Sequence, residues 1–240
     1  MVFLPDTLMI DQKDIITIDQ IFLKINNKKI FENLSLSFSS KGITVILGPN
    51  GSGKTILTKL ILGLQKIDKG LIKITNKKNV KFGYTPQKTV LLRRNVFDNI
   101  AFPLAMNGCS KKEIFDKVNL YLKKFDINKF QKLSARNLSG GLAQFISFVR
   151  SFITEPDILI LDEPFSNLDV NLKSKIENYL INQRFKRKII LVTHDLFQAQ
   201  RLADEIIIMD SGGMISKSIN KKLINTKNTK IKAFLNRNYF

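Results

Sequence analysis

The sequence is short of several features that define large protein classes. It has one cysteine, Cys109, and no tryptophan among 240 residues. A single cysteine excludes an internal disulfide, which fits a reducing compartment. No apolar run approaches the ~18–20 residues that a membrane-spanning helix needs. The first residues carry Asp6, Asp11 and Asp14 where a signal peptide has a basic segment, so we expect no secretory signal.

Acidic residues are also scarce. The chain has 20 of them against 39 Lys and Arg, a net charge of +19. Residues 69–97 and 211–240 contain no Asp or Glu, and the second stretch includes a basic C-terminal tail over residues 217–240. This charge permits nucleic acid or an anionic membrane surface as a partner. A general bias toward Lys, Asn and Ile explains it as well, and no aromatic platform for stacking bases is evident, so nucleic acid is not the expected partner.

Apolar runs predict an α/β fold. Residues 43–47 are continuously apolar, as is typical of a strand buried on both faces. Similar runs at 158–161, 189–192 and 206–209 alternate with helical patterns at 139–152 and 170–184. This alternation indicates an α/β core with a mostly parallel sheet and crossover helices. A chain of this length can bury a large core in one domain spanning residues 1–240.

Two further regions depart from that alternation. Residues 15–25 and 30–38 form a hairpin-like pattern around four polar residues, and short strands are predicted at 71–74 and 80–84. Residues 95–132 predict helices that are broken at Pro103 and at Asn107-Gly108. We therefore expect an N-terminal antiparallel β subdomain and an inserted helical subdomain over about residues 95–155.

A phosphate-binding loop follows the first buried strand. The segment fits G-x-x-x-x-G-K-[ST] with a strand before it and a helix after it, and consists of Gly48, Pro49, Asn50, Gly51, Ser52, Gly53, Lys54 and Thr55. Its glycines let backbone N–H groups face phosphates, and the helix start adds partial positive charge. Lys54 can reach the β- and γ-phosphates, and the hydroxyl of Thr55 suits Mg²⁺. The loop predicts a P-loop NTPase core that binds a nucleotide with Mg²⁺.

Two carboxylates end the strand at 158–161. Asp162 lies where ligands bind in open α/β sheets, and we expect it to hold Mg²⁺. Glu163 is one residue further and can polarise the attacking water without binding the metal. The pair predicts hydrolysis of the bound nucleotide.

Other polar residues follow strands that end at the same edge. His194, the only histidine, follows the strand at 189–192, and we expect it to contact the γ-phosphate. Gln87 follows the strand at 80–84, which allows a role as a sensor of the metal or the attacking water. The segment 166–169, ending in Asp169, could cap the next helix or lie at a chain–chain interface.

In this order the motifs resemble those of ABC transporter ATP-binding subunits. They are Walker A at 48–55, the Q-loop at Gln87, the signature Leu138-Ser139-Gly140-Gly141, Walker B at 158–163, the D-loop at 166–169 and the H-loop at His194. The resemblance covers about residues 15–215. It implies a head-to-tail homodimer with two ATP molecules, each between one chain's P-loop and the other's signature. Ser139, Gly140 and Gly141 would then bind the γ-phosphate in trans, with Asp169 beside the nucleotide at the interface.

The chain departs from the family pattern in two places. Leu142, Ala143 and Phe145 stand where signature-helix residues are usually polar or basic, so fewer polar contacts in trans are expected. Ile25 stands where an aromatic side chain usually stacks on adenine, with Phe22 as a candidate substitute. Base stacking is therefore expected to be weaker.

The leading hypothesis is an importer ATPase on the cytoplasmic face of the membrane. It would power a separate permease, supplied by a solute-binding protein, whose coupling helix docks near residues 87–107. Residues 90–96 are similar to the same stretch in ATPases of tungstate-type oxyanion importers. One alternative is a soluble ABC ATPase that acts on nucleic acid or ribosomes. Another is a weak ATPase that mainly switches conformation.

Overall fold

The computed structural model describes residues 14–75, 80–210, 213–219 and 229–239. The strands are β1 (Asp14–Ile25), β2 (Lys28–Ser39), β3 (Gly42–Leu47), β4 (Lys69–Ile74), β5 (Phe82–Thr85), β6 (Ile158–Asp162), β7 (Lys188–Thr193), β8 (Glu205–Asp210) and β9 (Gly213–Ile219). The α-helices are α1 (Lys54–Ile61), α2 (Val96–Met106), α3 (Lys111–Lys124), α4 (Gly140–Phe152), α5 (Val170–Gln183), α6 (Leu196–Leu202) and α7 (Thr229–Tyr239).

A six-stranded sheet in the order β5-β6-β7-β3-β8-β9 forms the centre of the fold. Its pairings are parallel except for β9, which runs antiparallel to β8. Successive side chains of a strand point to opposite faces. On β7, Ile189 and Leu191 join one apolar cluster while Ile190 and Val192 join the other. Continuous apolar runs therefore serve two cores at once, and the predicted mostly parallel sheet is confirmed.

The register of this sheet brings four chain segments to one edge. Leu47 at the end of β3 pairs with Thr193 at the end of β7. Asp162 at the end of β6 pairs with Val192, and Thr85 at the end of β5 pairs with Leu161. The residues that follow these strands must therefore emerge side by side.

The N-terminal subdomain is a three-stranded antiparallel sheet in the order β2-β1-β4. The turn between β1 and β2 places Asn26 and Asn27 at φ 49° and 61°, the left-handed conformation that tight hairpin turns need and asparagine tolerates. Its apolar face buries Phe31 and Phe38, together with Leu57 from α1. The predicted hairpin and antiparallel subdomain are confirmed.

The helical subdomain corrects one prediction. Pro103 lies inside α2 and does not break it. A proline inside a helix costs about 3 kcal/mol, and burying a large apolar side chain returns roughly 1.5–3 kcal/mol. Several side chains of α2 at one-turn spacing are buried, namely Val96, Ile100 and Leu104. The helix ends at Asn107-Gly108 as predicted, with Gly108 at φ 77°.

Aromatic rings join the helical subdomain to the core. Phe125 and Phe145 lie 5.5 Å apart between ring centroids, Phe148 and Phe152 lie 4.7 Å apart, and Tyr179 of α5 stacks on Phe152 at 4.2 Å. Phe145 is therefore fully buried. Spacing along α4 puts residue 145 on the same face as residues 148 and 152, inside its own chain. The expectation of fewer polar contacts with a second chain stays a prediction.

The described C-terminal residues also pack on this core. In α7, Ile231, Phe234 and Leu235 are buried against the aromatic side of the sheet. Residues 217–219 of the predicted basic tail form the end of β9, and residues 220–228 and 240 lie outside the described residues. Among the residues described, no helix has the length and hydropathy that crossing a membrane requires.

Candidate active site

The P-loop connects β3 to α1 through backbone that favours glycine. Gly51 and Gly53 have φ values of 82° and 98°, which residues with a Cβ rarely adopt. At Gly48 a Cβ would lie 2.3 Å from the carbonyl oxygen of Met209. The first turn of α1 carries no acidic residue, so its partial positive charge is uncompensated and faces the loop. The loop is therefore shaped for an anion.

Lys54 is held by the loop itself. Its Nζ donates to the carbonyl oxygens of Gly48 at 2.8 Å and Pro49 at 2.9 Å, and the side chain is buried. Burial lowers the pKa of Lys54, and the nearby carboxylates of Glu163 and Asp162 partly offset that shift. A desolvated ammonium gains more from an anionic ligand than an exposed one would.

Asp162 is suited to bind a magnesium ion. It is fully buried, and neither carboxylate oxygen makes a well-formed hydrogen bond to any residue of the described chain. The pKa of Asp162 is raised, mainly by burial and further by the carboxylate of Glu163. The close hydroxyl of Thr55 and the charges of Lys54 and Lys59 offset part of this shift. A buried carboxylate without partners is costly, and a hard cation with oxygen preference would satisfy it. Thr55 and Asp162 would together hold that ion.

Replacing Asp162 with asparagine is therefore expected to raise the Tm of the nucleotide-free protein at pH 7. Because the pKa of Asp162 is raised in the folded state, the folded protein holds the carboxyl proton more tightly than the unfolded protein does. Stability therefore falls as the pH rises from the unfolded-state pKa to the folded-state pKa. Thermal denaturation without Mg²⁺ should show a difference between variant and wild type that shrinks as the pH falls toward the ordinary aspartate pKa of about 3.9. Asp116→Asn, at an exposed position of α3, should show no change. A lower Tm for Asp162→Asn would contradict the argument.

Glu163 and His194 form a contact above the loop. The Nδ1 atom of His194 lies 2.9 Å from each carboxylate oxygen of Glu163. The Glu163 side chain is 8% exposed and that of His194 is 58% exposed. Glu163 also has φ 51° and precedes Pro164, a combination that sterics disfavour. Such strain is found where a function requires a particular direction of a side chain.

Lys54, Thr55 and Glu163 share one cleft of about 280 Å³, the P-loop cleft. It is lined by Asn50, Gly51, Gly53, Lys54, Thr55, Ile56, Gln87 and Glu163. The predicted P-loop, Q-loop and Walker B residues thus meet in space. Gln87 is exposed and also lines a second cleft of about 530 Å³, whose walls include Arg93, Arg136 and Gly140.

The signature residues do not line the P-loop cleft. Ser139 caps α4 by accepting a hydrogen bond from the N–H of Leu142 at 3.3 Å. A Cβ at Gly140 would meet no atom within 4 Å, whereas one at Gly141 would lie 2.6 Å from the carbonyl oxygen of Asn167. Asp169 caps α5, accepting from the N–H of Leu172 at 2.8 Å. Of the two readings of segment 166–169, the helix cap is present.

The family model for ABC transporters matches residues 31–166, more than half of the chain. The chain belongs to the ABC transporter family. Its fold is similar to a solved structure of an ATP-binding subunit of an ABC transporter, with a TM-score of 0.78, 23% identity and coverage of 88% of this chain and 92% of that one.

Relatives of this ABC subunit are named as importer components. It is 34% identical to the ATP-binding protein of a tungstate uptake system from Peptoclostridium acidaminophilum, over 82% of this chain and 95% of the relative. It is 38% identical to the molybdate/tungstate import ATP-binding protein of Methanocaldococcus jannaschii, over 89% of this chain and 76% of the relative. It is 35% identical to the sulfate/thiosulfate import ATP-binding protein of Mesostigma viride, over 82% and 60%.

These likenesses decide between the broad hypotheses. The ABC subunit is an ATPase that powers transport. The names of its relatives favour an import system over a soluble ATPase that acts on nucleic acid or ribosomes.

Gln144 lies close to the candidate active site and was not predicted from the sequence. Gln144 of α4 is fully buried, and its side chain bonds to the chain that follows Asp162. The sequence does carry a signal for this residue, because Gln144 is a polar residue next to the apolar stripe of α4. Such a residue must find hydrogen-bond partners inside the protein.

The adenine-binding residue stays a prediction. Ile25 is partly buried, and Phe22 is 38% exposed on β1, the central strand of the antiparallel sheet. The ring of Phe31 and the side chain of Ile30 lie against Gly53 of the P-loop. The start of β2 thus offers apolar surface beside the loop.

Proposed function

We propose that this ABC subunit binds Mg²⁺ and ATP in the P-loop cleft and hydrolyses ATP with Glu163 as general base. The observation that carries the proposal is the meeting of Lys54, Asp162, Glu163 and Gln87 at one sheet edge. The loop amides and Lys54 bind the phosphates, and Thr55 and Asp162 hold the metal. Bound magnesium would neutralise part of the phosphate charge.

Each remaining group has a separate task in this proposal. Glu163 takes a proton from the attacking water, because its carboxylate faces the cleft and His194 holds it in place. His194 is largely exposed, which leaves its other ring nitrogen able to contact the γ-phosphate. Gln87 lines the same cleft and senses the metal or the water.

A head-to-tail homodimer would complete the site. Ser139, Gly140 and Gly141 lie outside the cleft of their own chain, and the open space around Gly140 leaves room for a partner's phosphate. The start of α4, a helix of 13 residues, provides amides suited to an anion. Asp169 and the exposed D-loop would face the same interface.

A pair of glycine variants tests this dimer. Gly140→Ala should leave the Tm of the monomer within about 2 °C, because the new methyl group meets open space. It should weaken ATP-driven dimerisation and turnover, since the methyl group would occupy the phosphate position. Gly141→Ala should instead lower the Tm by several degrees through its clash with Asn167. Chromatography with light scattering, with and without ATP, measures the first effect, and unchanged dimerisation of Gly140→Ala would contradict the model.

The transport partner would be a membrane permease that holds the subunit at the cytoplasmic face. The second cleft beside Gln87 offers a place for its coupling helix, next to segment 87–93 and the helical subdomain. A solute-binding protein would act indirectly, through the permease.

The solute would be a tungstate-type oxyanion. Three relatives are named for tungstate, molybdate or sulfate, although maltose importers are also related. Proteoliposomes containing this subunit and the permease encoded beside it should hydrolyse ATP faster when the cognate binding protein carries tungstate or molybdate. Stimulation by maltose instead, or by no oxyanion, would overturn the solute assignment and leave the ATPase assignment standing.

A further inference from the structure

Gln144 joins the signature helix to the residue proposed as general base. Its Nε2 donates to the carbonyl oxygen of Glu163 at 3.0 Å and to the hydroxyl of Ser166 at 3.1 Å, and its Oε1 accepts from the N–H of Asn167 at 3.0 Å. The side chain is fully buried. Hydrogen bonds are stronger in such surroundings, and leaving their partners unpaired is correspondingly costly.

These contacts act on a strained peptide. Glu163 has φ 51° and is followed by proline, so the chain would leave this conformation unless its surroundings fixed it. The carbonyl oxygen of Glu163 accepts from Gln144 and also from the hydroxyl of Ser166 at 3.3 Å. Fixing that carbonyl fixes the orientation of the peptide that follows Glu163. His194 holds the carboxylate end of the same residue.

We propose that Gln144 is a positioning residue for ATP hydrolysis. It holds the backbone of Glu163 so that the carboxylate points into the cleft, and this inference rests on the proposed role of Glu163. Gln144 does not line the cleft, so it acts through Glu163 and not on the nucleotide. Since α4 begins at the signature, the same amide connects the proposed binding site for a partner's ATP to the chain's own base.

Gln144→Met tests the proposal by removing three hydrogen bonds at similar side-chain length. We expect kcat to fall about tenfold or more, with the KM for ATP and the affinity for ATP changed less than about twofold. Ser147→Ala is the matched control, one turn further along α4 and also buried. The hydroxyl of Ser147 has no hydrogen-bond partner among the described residues, so this variant should keep wild-type kcat.

A double-mutant cycle separates positioning from general damage to the fold. In the Glu163→Gln background, Gln144→Met should cause no further loss in single-turnover rate, because the base that it positions is already absent. If Gln144 only supports the fold, the same factor should be lost in both backgrounds. Equal losses would overturn the proposal, as would a wild-type kcat for Gln144→Met.

Ser166→Ala provides a second variant if Gln144→Met fails to fold. Ser166 is exposed and its hydroxyl bridges Gln144 and the Glu163 carbonyl, so we expect a several-fold loss confined to kcat. An unchanged kcat would count against the proposal. A Glu163→Gln protein that still turns over would instead refute the general-base assignment, and the two failures are therefore distinguishable.

Discussion

Replacing Glu163 with glutamine is expected to reduce ATP hydrolysis by a factor of about 10²–10⁴, the usual contribution of a general base. Glutamine has the same shape and can keep the contact with His194, which lies 2.9 Å from the carboxylate. It cannot accept a proton from water. Removing a negative charge beside the phosphates should leave ATP affinity equal or higher. Steady-state phosphate release and nucleotide titration measure the two effects.

The same variant should collect as an ATP-bound dimer, because closure is no longer followed by hydrolysis. Glu155→Gln is a matched control, since Glu155 also has a left-handed backbone, at φ 54°, and is largely exposed. Its ion pair with Lys117 lies at the surface and contributes little. The control should hydrolyse ATP at the wild-type rate. A Glu163→Gln protein that stays monomeric at saturating ATP would exclude the proposed dimer.

Lys54→Met is expected to weaken ATP binding about 100-fold. The ammonium sits at the loop, already desolvated, with donors directed at carbonyl oxygens 2.8 and 2.9 Å away. Charged hydrogen bonds contribute roughly 1.5–3 kcal/mol, and 1.4 kcal/mol corresponds to tenfold in affinity. Calorimetric titration with MgATP measures the change.

Lys59→Met controls for the loss of one positive charge on α1. Lys59 is exposed and lies outside the cleft lining, so affinity should change less than about threefold. Circular dichroism checks that Lys54→Met keeps its fold, because the carbonyls of Gly48 and Pro49 lose a donor. A folded Lys54→Met protein with near wild-type affinity would show that the loop amides alone bind the phosphates.

Strand patterns predicted most of the site because they fix position along the sheet. Residues 43–47, 158–161 and 189–192 were identifiable as buried strands, and parallel pairing brings their carboxyl ends together. The same reasoning predicts Lys54, Asp162 and His194 at one edge from the sequence alone. The structure has them there, while their roles in hydrolysis stay proposals.

The remaining features depend on tertiary packing that local patterns do not determine. Pro103 was predicted to end a helix from its intrinsic preference, but burial along α2 outweighs that preference. The orientation of Gln144 depends on which side of α4 meets the segment after β6. The burial of Phe145 beside Phe148 depends on how α4 packs against the core, which the family pattern at this position does not indicate.

Alignment of the strand ends also has a thermodynamic consequence. The cleft proposed to bind the nucleotide is lined by residues between 50 and 163. Strands up to residue 193 assemble it, so it forms only when these segments are folded. A ligand that binds the native state alone stabilises it by mass action, about 2.7 kcal/mol at a hundredfold excess over Kd. A higher nucleotide concentration therefore raises the folded fraction of the chain as well as the rate of its reaction. Destabilised variants should therefore lose the smallest share of folded protein where ATP is abundant.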